Sequence, residues 1–308
     1  MRLHLPDGKE HRTEQSETSL RGRIREGRHA VSAAPGAEAV GSLRRAASID
    51  SDRQGSSRRE AGPARRAASM ALDLLFPRRC PVCDRPVRPF GALICRDCSG
   101  RFVRVGEMSC RCCGKLIREG TSALCRDCAA GTHVFRRGAA VFTYRSTAGA
   151  IYRFKYRGRQ EYADYFAREM AETLREKLSD DFRIRADMLV PVPVHRARLI
   201  RRGYNQAALL ARGMERQLGI PCREDVLERS ENTAPMRNMS AAGRRRNLKS
   251  AFHTCSDDVK SKTILLIDDV YTTGSTMDAC AAALQRGGAG SVYFMVLATG
   301  EQGGPDAE

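Results

Sequence analysis

The chain has 308 residues and carries 53 Lys and Arg against 36 Asp and Glu, a formal charge of +17. That length suggests about two domains, and the charge favours polyanionic partners such as phosphates, nucleic acid or an anionic membrane surface. No apolar run approaches the roughly 18 residues of a membrane span, and the N-terminus lacks the apolar core of a secretory signal. A cytoplasmic protein is expected, in which twelve cysteines read as metal ligands rather than disulfides.

Residues 1–69 are dominated by Arg, Ser, Ala, Gly and Glu, without apolar periodicity. Such a segment cannot bury enough surface to offset its ordering entropy and is expected to be disordered. Apolar sequence begins abruptly at Met70-Ala-Leu-Asp-Leu-Leu-Phe-Pro77. Met70 is therefore a candidate native start, with residues 1–69 an over-extended reading frame.

Residues 70–135 are expected to form a small cysteine-rich domain. Cys80-Pro-Val-Cys83 is followed by Cys95-Arg-Asp-Cys98, and Cys110-Arg-Cys-Cys113 by Cys125-Arg-Asp-Cys128. The second block repeats the first at all four cysteines with a shift of 30 residues, an internal duplication. A Cys-x-x-Cys pair makes a knuckle presenting two thiolates, and two knuckles complete a tetrahedron, so two structural zinc ions are predicted. Closed four-thiolate sites leave no open position for catalysis. Gly114 follows the second knuckle where Asp84 follows the first. Pairing within each block and pairing swapped between blocks both remain open, and Cys112 is a spare thiol. Cys222, Cys255 and Cys280 read as small core residues.

From 136 to 300 the pattern is that of an α/β domain, with 301–308 a tail. Ala140 to Tyr144 reads as a strand and Thr147 to Tyr156 as a helix. Glu161 to Leu178 reads as an amphipathic helix burying Tyr165, Phe166, Met170 and Leu174. Lys155 and Arg157 could reach a diphosphate or could form a solvated basic turn. Met188 to Val194 reads as a strand that Pro191 and Pro193 end. His195 to Gly203 reads as a basic loop, with a helix entered near Asn205.

Ile264-Leu-Leu-Ile-Asp268-Asp269-Val-Tyr-Thr272-Thr273-Gly274-Ser275-Thr276 is the central motif. Its apolar start reads as a buried parallel strand with two carboxylates at the carboxyl end, where open α/β sheets bind ligands. A helix through Leu284 and a strand at 291–298 follow. Backbone N–H groups at a helix mouth suit a phosphate, and Gly274 permits close approach. The hydroxyls of Thr272, Thr273, Ser275 and Thr276 can donate, whereas ionised Asp268 and Asp269 only accept and suit sugar hydroxyls or Mg²⁺. A ribose 5-phosphate answers both halves. A nucleotidase Walker B strand would need a Gly-x-x-x-x-Gly-Lys-Ser/Thr loop, which the chain lacks.

This motif resembles the phosphoribosyl-diphosphate (PRPP) motif of type I phosphoribosyltransferases. The Leu-Leu-Phe-Pro-x-x-Cys opening, the Lys-Tyr-x-Gly turn at Lys155, the Pro-Val-Pro strand end and Arg201-Arg202-Gly203-Tyr204-Asn205-Gln206 are similar to the ComF competence-protein family. The resemblance implies a type I phosphoribosyltransferase-like parallel sheet flanked by helices, preceded by a double zinc ribbon. It implies that Asp268 and Asp269 hold the ribose, that residues 272–276 cradle its phosphate, and that Lys155 and Arg202 lie toward the diphosphate with Mg²⁺. It implies a mobile active-site loop over residues 229–252, in which Met236 stands where the family commonly has glutamine.

Two functions follow from the resemblance. One is a PRPP-dependent phosphoribosyltransferase whose acceptor no residue identifies. The other is a non-catalytic module, binding single-stranded DNA or sensing PRPP, that serves DNA uptake with the competence machinery. Tyr204 is the one aromatic noted in the basic stretches for base stacking.

Overall fold

The computed structural model describes residues 77–89, 91–117, 123–131, 133–179, 185–230 and 251–300. Residues 1–76, the part of the expected active-site loop from 231 to 250 that carries Met236, and the tail at 301–308 lie outside them. The described residues all fall within one compact unit spanning residues 61–308.

In chain order the elements are α1 (Arg126–Ala130), β1 (Arg137–Thr143), α2 (Tyr144–Tyr156), α3 (Tyr162–Ser179), β2 (Met188–Pro191), α4 (Arg196–Arg202), α5 (Gln206–Leu218), β3 (Leu227–Arg229), β4 (Phe252–Thr254), β5 (Thr263–Tyr271), α6 (Ser275–Arg286) and β6 (Ser291–Thr299). Strands β1, β6, β5 and β2 form a parallel four-stranded sheet in that order, while β3 and β4 pair antiparallel beside it. The strands read from Met188, from Ile264 and at 291–298 all lie in this sheet, and the one read at Ala140 to Tyr144 joins it as β1.

The sheet is buried on both faces, as parallel sheets are. Leu265, Ile267, Met295 and Leu297 pack with Ile151, Phe154, Phe166, Met170, Leu210 and Met214 from α2, α3 and α5. Ile264, Leu266, Phe294 and Val296 face the other way, against Met277, Cys280 and Leu284 of α6, and also against the buried cysteines 110, 113, 125 and 128. The second cysteine block is thus part of the core on the α6 face. No described helix is long and apolar enough to cross a membrane.

Three local readings need correction. Strand β5 runs on past both carboxylates to Tyr271 instead of ending at them. Its alternation slips there, since Val270 packs on the α2 side and Tyr271 on the α6 side. The basic loop after Pro193 is largely a helix, α4, capped by the His195 side chain and ended by Gly203 at φ 79°. Of the three isolated cysteines, Cys280 is buried, but Cys222 is only half-buried and Cys255 is exposed.

Candidate functional site

The duplication seen in the sequence is repeated in the backbone. Asp84 N–H donates to Cys80 O at 2.9 Å and Gly114 N–H to Cys110 O at 2.8 Å. Arg79 bridges Pro86 as Ser109 bridges Leu116. Each knuckle turn needs a left-handed residue, Asp84 at φ 56° and Gly114 at φ 73°. Cys80, Cys83, Cys95 and Cys98 form one cluster and Cys110, Cys113, Cys125 and Cys128 another, with the sulfurs of each within 4.8 Å of one another. The clusters form within blocks, not across them.

The donor set fits a tetrahedral dication. Bonds of about 2.3 Å place tetrahedral sulfurs about 3.8 Å apart, and Cys113 Sγ lies 3.7 Å from Cys125 Sγ. The Cys125 amide donates to Cys110 Sγ at 3.2 Å, the kind of bond a thiolate accepts. Hydrogen bonding from Cys113 draws Cys110 down to about 4, whereas burial and then its sulfur neighbours push Cys98 up to about 12. Four thiols so close cannot all ionise without a cation between them. The second cluster is buried throughout, while the first leaves Cys83 exposed.

The second candidate site lies at the carboxyl end of β5. A cavity of about 160 Å³ is lined by Asp268, Asp269 and Thr276, by Lys155 from α2, by Val192, Pro193 and Val194 after β2, by Arg198 and Arg202 of α4, and by Asn205, Gln206, Ala207 and Arg229. The topology assembles it: Lys155 arrives over one face of the sheet, and the α4 arginines arrive from the neighbouring strand's loop.

Lys155 Nζ lies 2.8 Å from Asp269 Oδ1, with both side chains largely buried. Burial alone would lower the Lys155 ammonium, but the Asp269 charge and hydrogen bond, with Asp268 behind them, hold it above its ordinary value. Burial, and then the neighbouring Asp269 carboxylate, push Asp268 up to about 7. Its Oδ1 accepts from the Asp269 amide at 2.8 Å.

Four cationic side chains face two carboxylates, so the cavity suits a ligand with anionic and hydroxylated parts. Arg202 donates to Gln206 Oε1 and to Tyr156 Oη, both at 3.0 Å. Arg202 Nε, Gln206 Nε2 and Arg229 Nε are buried donors without an acceptor among the described residues. Buried donors of this kind call for a partner, and an oxyanion would supply one.

Beside this cavity, α6 begins. Gly274 is left-handed at φ 81° and precedes the first turn, whose leading amides lack intrahelical acceptors and carry partial positive charge. Thr273 Oγ1 and Ser275 Oγ lie 3.1 Å apart. Thr272 and Thr273 are exposed, Ser275 and Thr276 half-buried.

The structure brings Asp268, Asp269, Lys155, Arg202 and Thr276 to one cavity and places residues 272–275 at its helix mouth. Arg157 is exposed and does not line it. Arg229, at the start of the expected active-site loop, does line the cavity; Arg198, inside the basic stretch read at His195 to Gly203, and Gln206, inside the Arg201 to Gln206 motif, line it without having been assigned a role. Tyr204 is no stacking surface: it is buried, and its hydroxyl donates to the Phe154 carbonyl.

A family model described as a double zinc ribbon domain matches residues 71–129, and one described as a phosphoribosyl transferase domain matches residues 168–307. A double zinc ribbon ahead of a phosphoribosyltransferase-type α/β sheet is therefore the class to which this architecture corresponds. The chain is 37% identical over 114 residues to Competence protein F of Haemophilus influenzae, covering 36% of this chain and 50% of that protein. It is 34% identical over 148 residues to DNA utilization protein YhgH of Escherichia coli O157:H7, covering 48% and 64%. It is 29% identical over 221 residues to Competence protein ComFC of Bacillus subtilis, covering 71% and 76%. Within that class the chain is similar to these competence and DNA utilization proteins, and it spans 50% and 64% of the first two relatives' lengths.

Proposed function

We propose that the cleft at the end of β5 binds PRPP with Mg²⁺, and that the protein is a phosphoribosyltransferase-type member of its family acting in the cytoplasm. The observation that carries this reading is the meeting of an acid pair, a helix mouth and buried unpaired donors in one cavity. Asp268 and Asp269 would accept from the ribose hydroxyls. The amides and hydroxyls of residues 272–276 would take the 5-phosphate, and Arg198, Arg202 and Lys155 would face the diphosphate.

Mg²⁺ would supply charge neutralisation of the leaving diphosphate. The side chains position the sugar and stabilise developing charge. Lys155 already neutralises Asp269, which leaves Asp268 as the carboxylate whose charge a ligand must meet. The two cysteine clusters would each hold a structural zinc ion, Cys80, Cys83, Cys95 and Cys98 the first, Cys110, Cys113, Cys125 and Cys128 the second.

A second reading has its own observation. Tyr152 and Tyr156 are exposed, with ring centroids 5.3 Å apart. Arg202 and Arg201 lie over the Tyr156 ring at 4.8 and 5.8 Å, and these residues line a groove next to the cleft. Exposed rings among arginines suit single-stranded nucleic acid, in keeping with relatives named for competence and DNA utilization. Titration with PRPP and Mg²⁺, followed by incubation with a panel of free bases, separates the readings. Diphosphate release with one base supports the transferase. PRPP binding without turnover supports a DNA-binding or sensing role, and no PRPP binding refutes the cleft assignment.

A further inference from the structure

We propose that the second cysteine cluster and the helix mouth at Gly274 are one linked unit, joined through His133, so that metal held by the cluster and an anion held by the mouth stabilise one another. The mouth's ligand rests on the reading above; the joint itself does not.

His133 touches both partners. Its Nε2 faces Cys128 Sγ at 3.4 Å, and its Nδ1 lies 2.9 Å from Asp278 Oδ2 in the first turn of α6. Asp278 only accepts, so it holds a proton on Nδ1 and fixes the ring. The other oxygen of Asp278 takes the Val134 amide at 2.8 Å, and the Asp278 amide donates to the Gly274 carbonyl at 2.8 Å. The ring also abuts Gly274 itself, since a Cβ there would stand 3.2 Å from His133 Cε1. Stacking on Phe135 at 4.5 Å leaves the imidazole no slack.

Tyr271 reinforces the joint. Its ring stacks on Phe294 at 4.9 Å in the same core cluster as the four cysteines. Its buried hydroxyl has no hydrogen-bond partner among the described residues and lies 2.6 Å from where a Gly274 Cβ would be. The mouth is therefore walled on its inner side by groups whose positions depend on the cysteine cluster. If Cys128 relaxes, His133 loses its outer contact and Asp278 its fixed donor, and the first turn of α6 is freed. Linkage is reciprocal: an anion that holds the first turn must tighten the cluster by the same factor.

The test uses zinc-loaded full-length protein and a zinc-selective chromogenic chelator. The cluster that exposes Cys83 is expected to give up its ion first and the buried cluster second. Saturating PRPP with Mg²⁺ should slow the second phase on the order of tenfold and leave the first unchanged. His133→Phe keeps a ring on Phe135, and Asp278→Asn keeps the side chain's shape. Both should retain two zinc ions per chain, lose the protection by PRPP, and release the slow ion severalfold faster without ligand. PRPP that binds by calorimetry yet changes neither phase overturns the linkage. If PRPP does not bind, the assignment of the cleft fails, and the ligand-free comparison decides the linkage: equal release from all three proteins overturns it.

Discussion

Asp84 and Gly114 occupy the same left-handed place in the two cysteine blocks, and each is what its surroundings allow. A Cβ at Gly114 would lie 2.8 Å from Ala139 Cα, so the second knuckle can carry no side chain there. The first knuckle has room, and Asp84 uses it: Arg159 donates at 2.9 and 3.2 Å and the Tyr162 hydroxyl at 2.7 Å. Burial alone would raise the Asp84 carboxyl, but the bonds from Tyr162 and Arg159 outweigh it and hold it below its ordinary value. Its contribution to stability is therefore present above the ordinary carboxylate range and lost as pH falls through the depressed value. Gly114→Ala should destabilise the fold by about 1–3 kcal/mol through backbone overlap and strain, read as a lower Tm; an unchanged Tm would contradict the close approach.

Asp268 runs the opposite way. Its folded value is raised to about 7, so the folded chain holds a proton the unfolded chain gives up, and stability falls as pH climbs from the ordinary range to about 7. Asp268→Asn should be more stable than the parent at pH 8 and equal to it at pH 4 by denaturant titration. A ligand that needs the carboxylate should bind the parent more weakly at pH 6 than at pH 8, while Asp268→Asn binds weakly at both. Asp269→Ala strands the buried Lys155 ammonium, a loss on the order of 3 kcal/mol. It should abolish PRPP binding by calorimetry while zinc content stays at two per chain.

At the scale of elements, what was legible followed local chemistry. The strand of four apolar residues, the acid pair and the glycine-rich helix entry are contiguous, so β5 and α6 could be read directly. Helix α4 could not, because none of its residues is buried and no apolar stripe announces it; its caps, His195 and Gly203, are its main signal. His133 was illegible as a site residue for another reason, since Asp278, which fixes its ring, lies far along the chain, and Arg229 was legible only as the first residue of the expected active-site loop, not by its place in the cavity wall. The strand's continuation to Tyr271 depends on pairing with β6, where Asp268 aligns with Val296 and Tyr271 with Thr299. On α2, Tyr152 and Tyr156 offer exposed rings that the linear reading passed over in favour of Tyr204. Tyr156→Ala should weaken single-stranded DNA binding by about 1–3 kcal/mol if the groove stacks a base, measured by fluorescence anisotropy at fixed salt; unchanged affinity would dismiss that groove.

Across the whole molecule, the two cysteine clusters stand in different relation to the sheet. The first docks through Asp84 and through Arg153, which donates to the Pro81 and Val82 carbonyls at 2.9 and 3.1 Å. The second lies within the core formed by β5, β6 and α6. Emptying it should cost much more stability than emptying the first, because thiols that lose their cation are left buried against apolar side chains. Cys110→Ser should therefore lower Tm further than Cys83→Ser, and equal losses would contradict the placement. The sheet in turn carries the cleft, so one layer of parallel strands positions both the second cysteine cluster and the acid pair.

The most direct measurement is a crystal structure of the zinc-loaded protein with PRPP and Mg²⁺. The account predicts the 5-phosphate on the amides of residues 272–276, the ribose hydroxyls on Asp268 and Asp269, and the diphosphate toward Arg198 and Arg202. Density for the ligand at another surface, or an empty cleft at saturating PRPP, would contradict it.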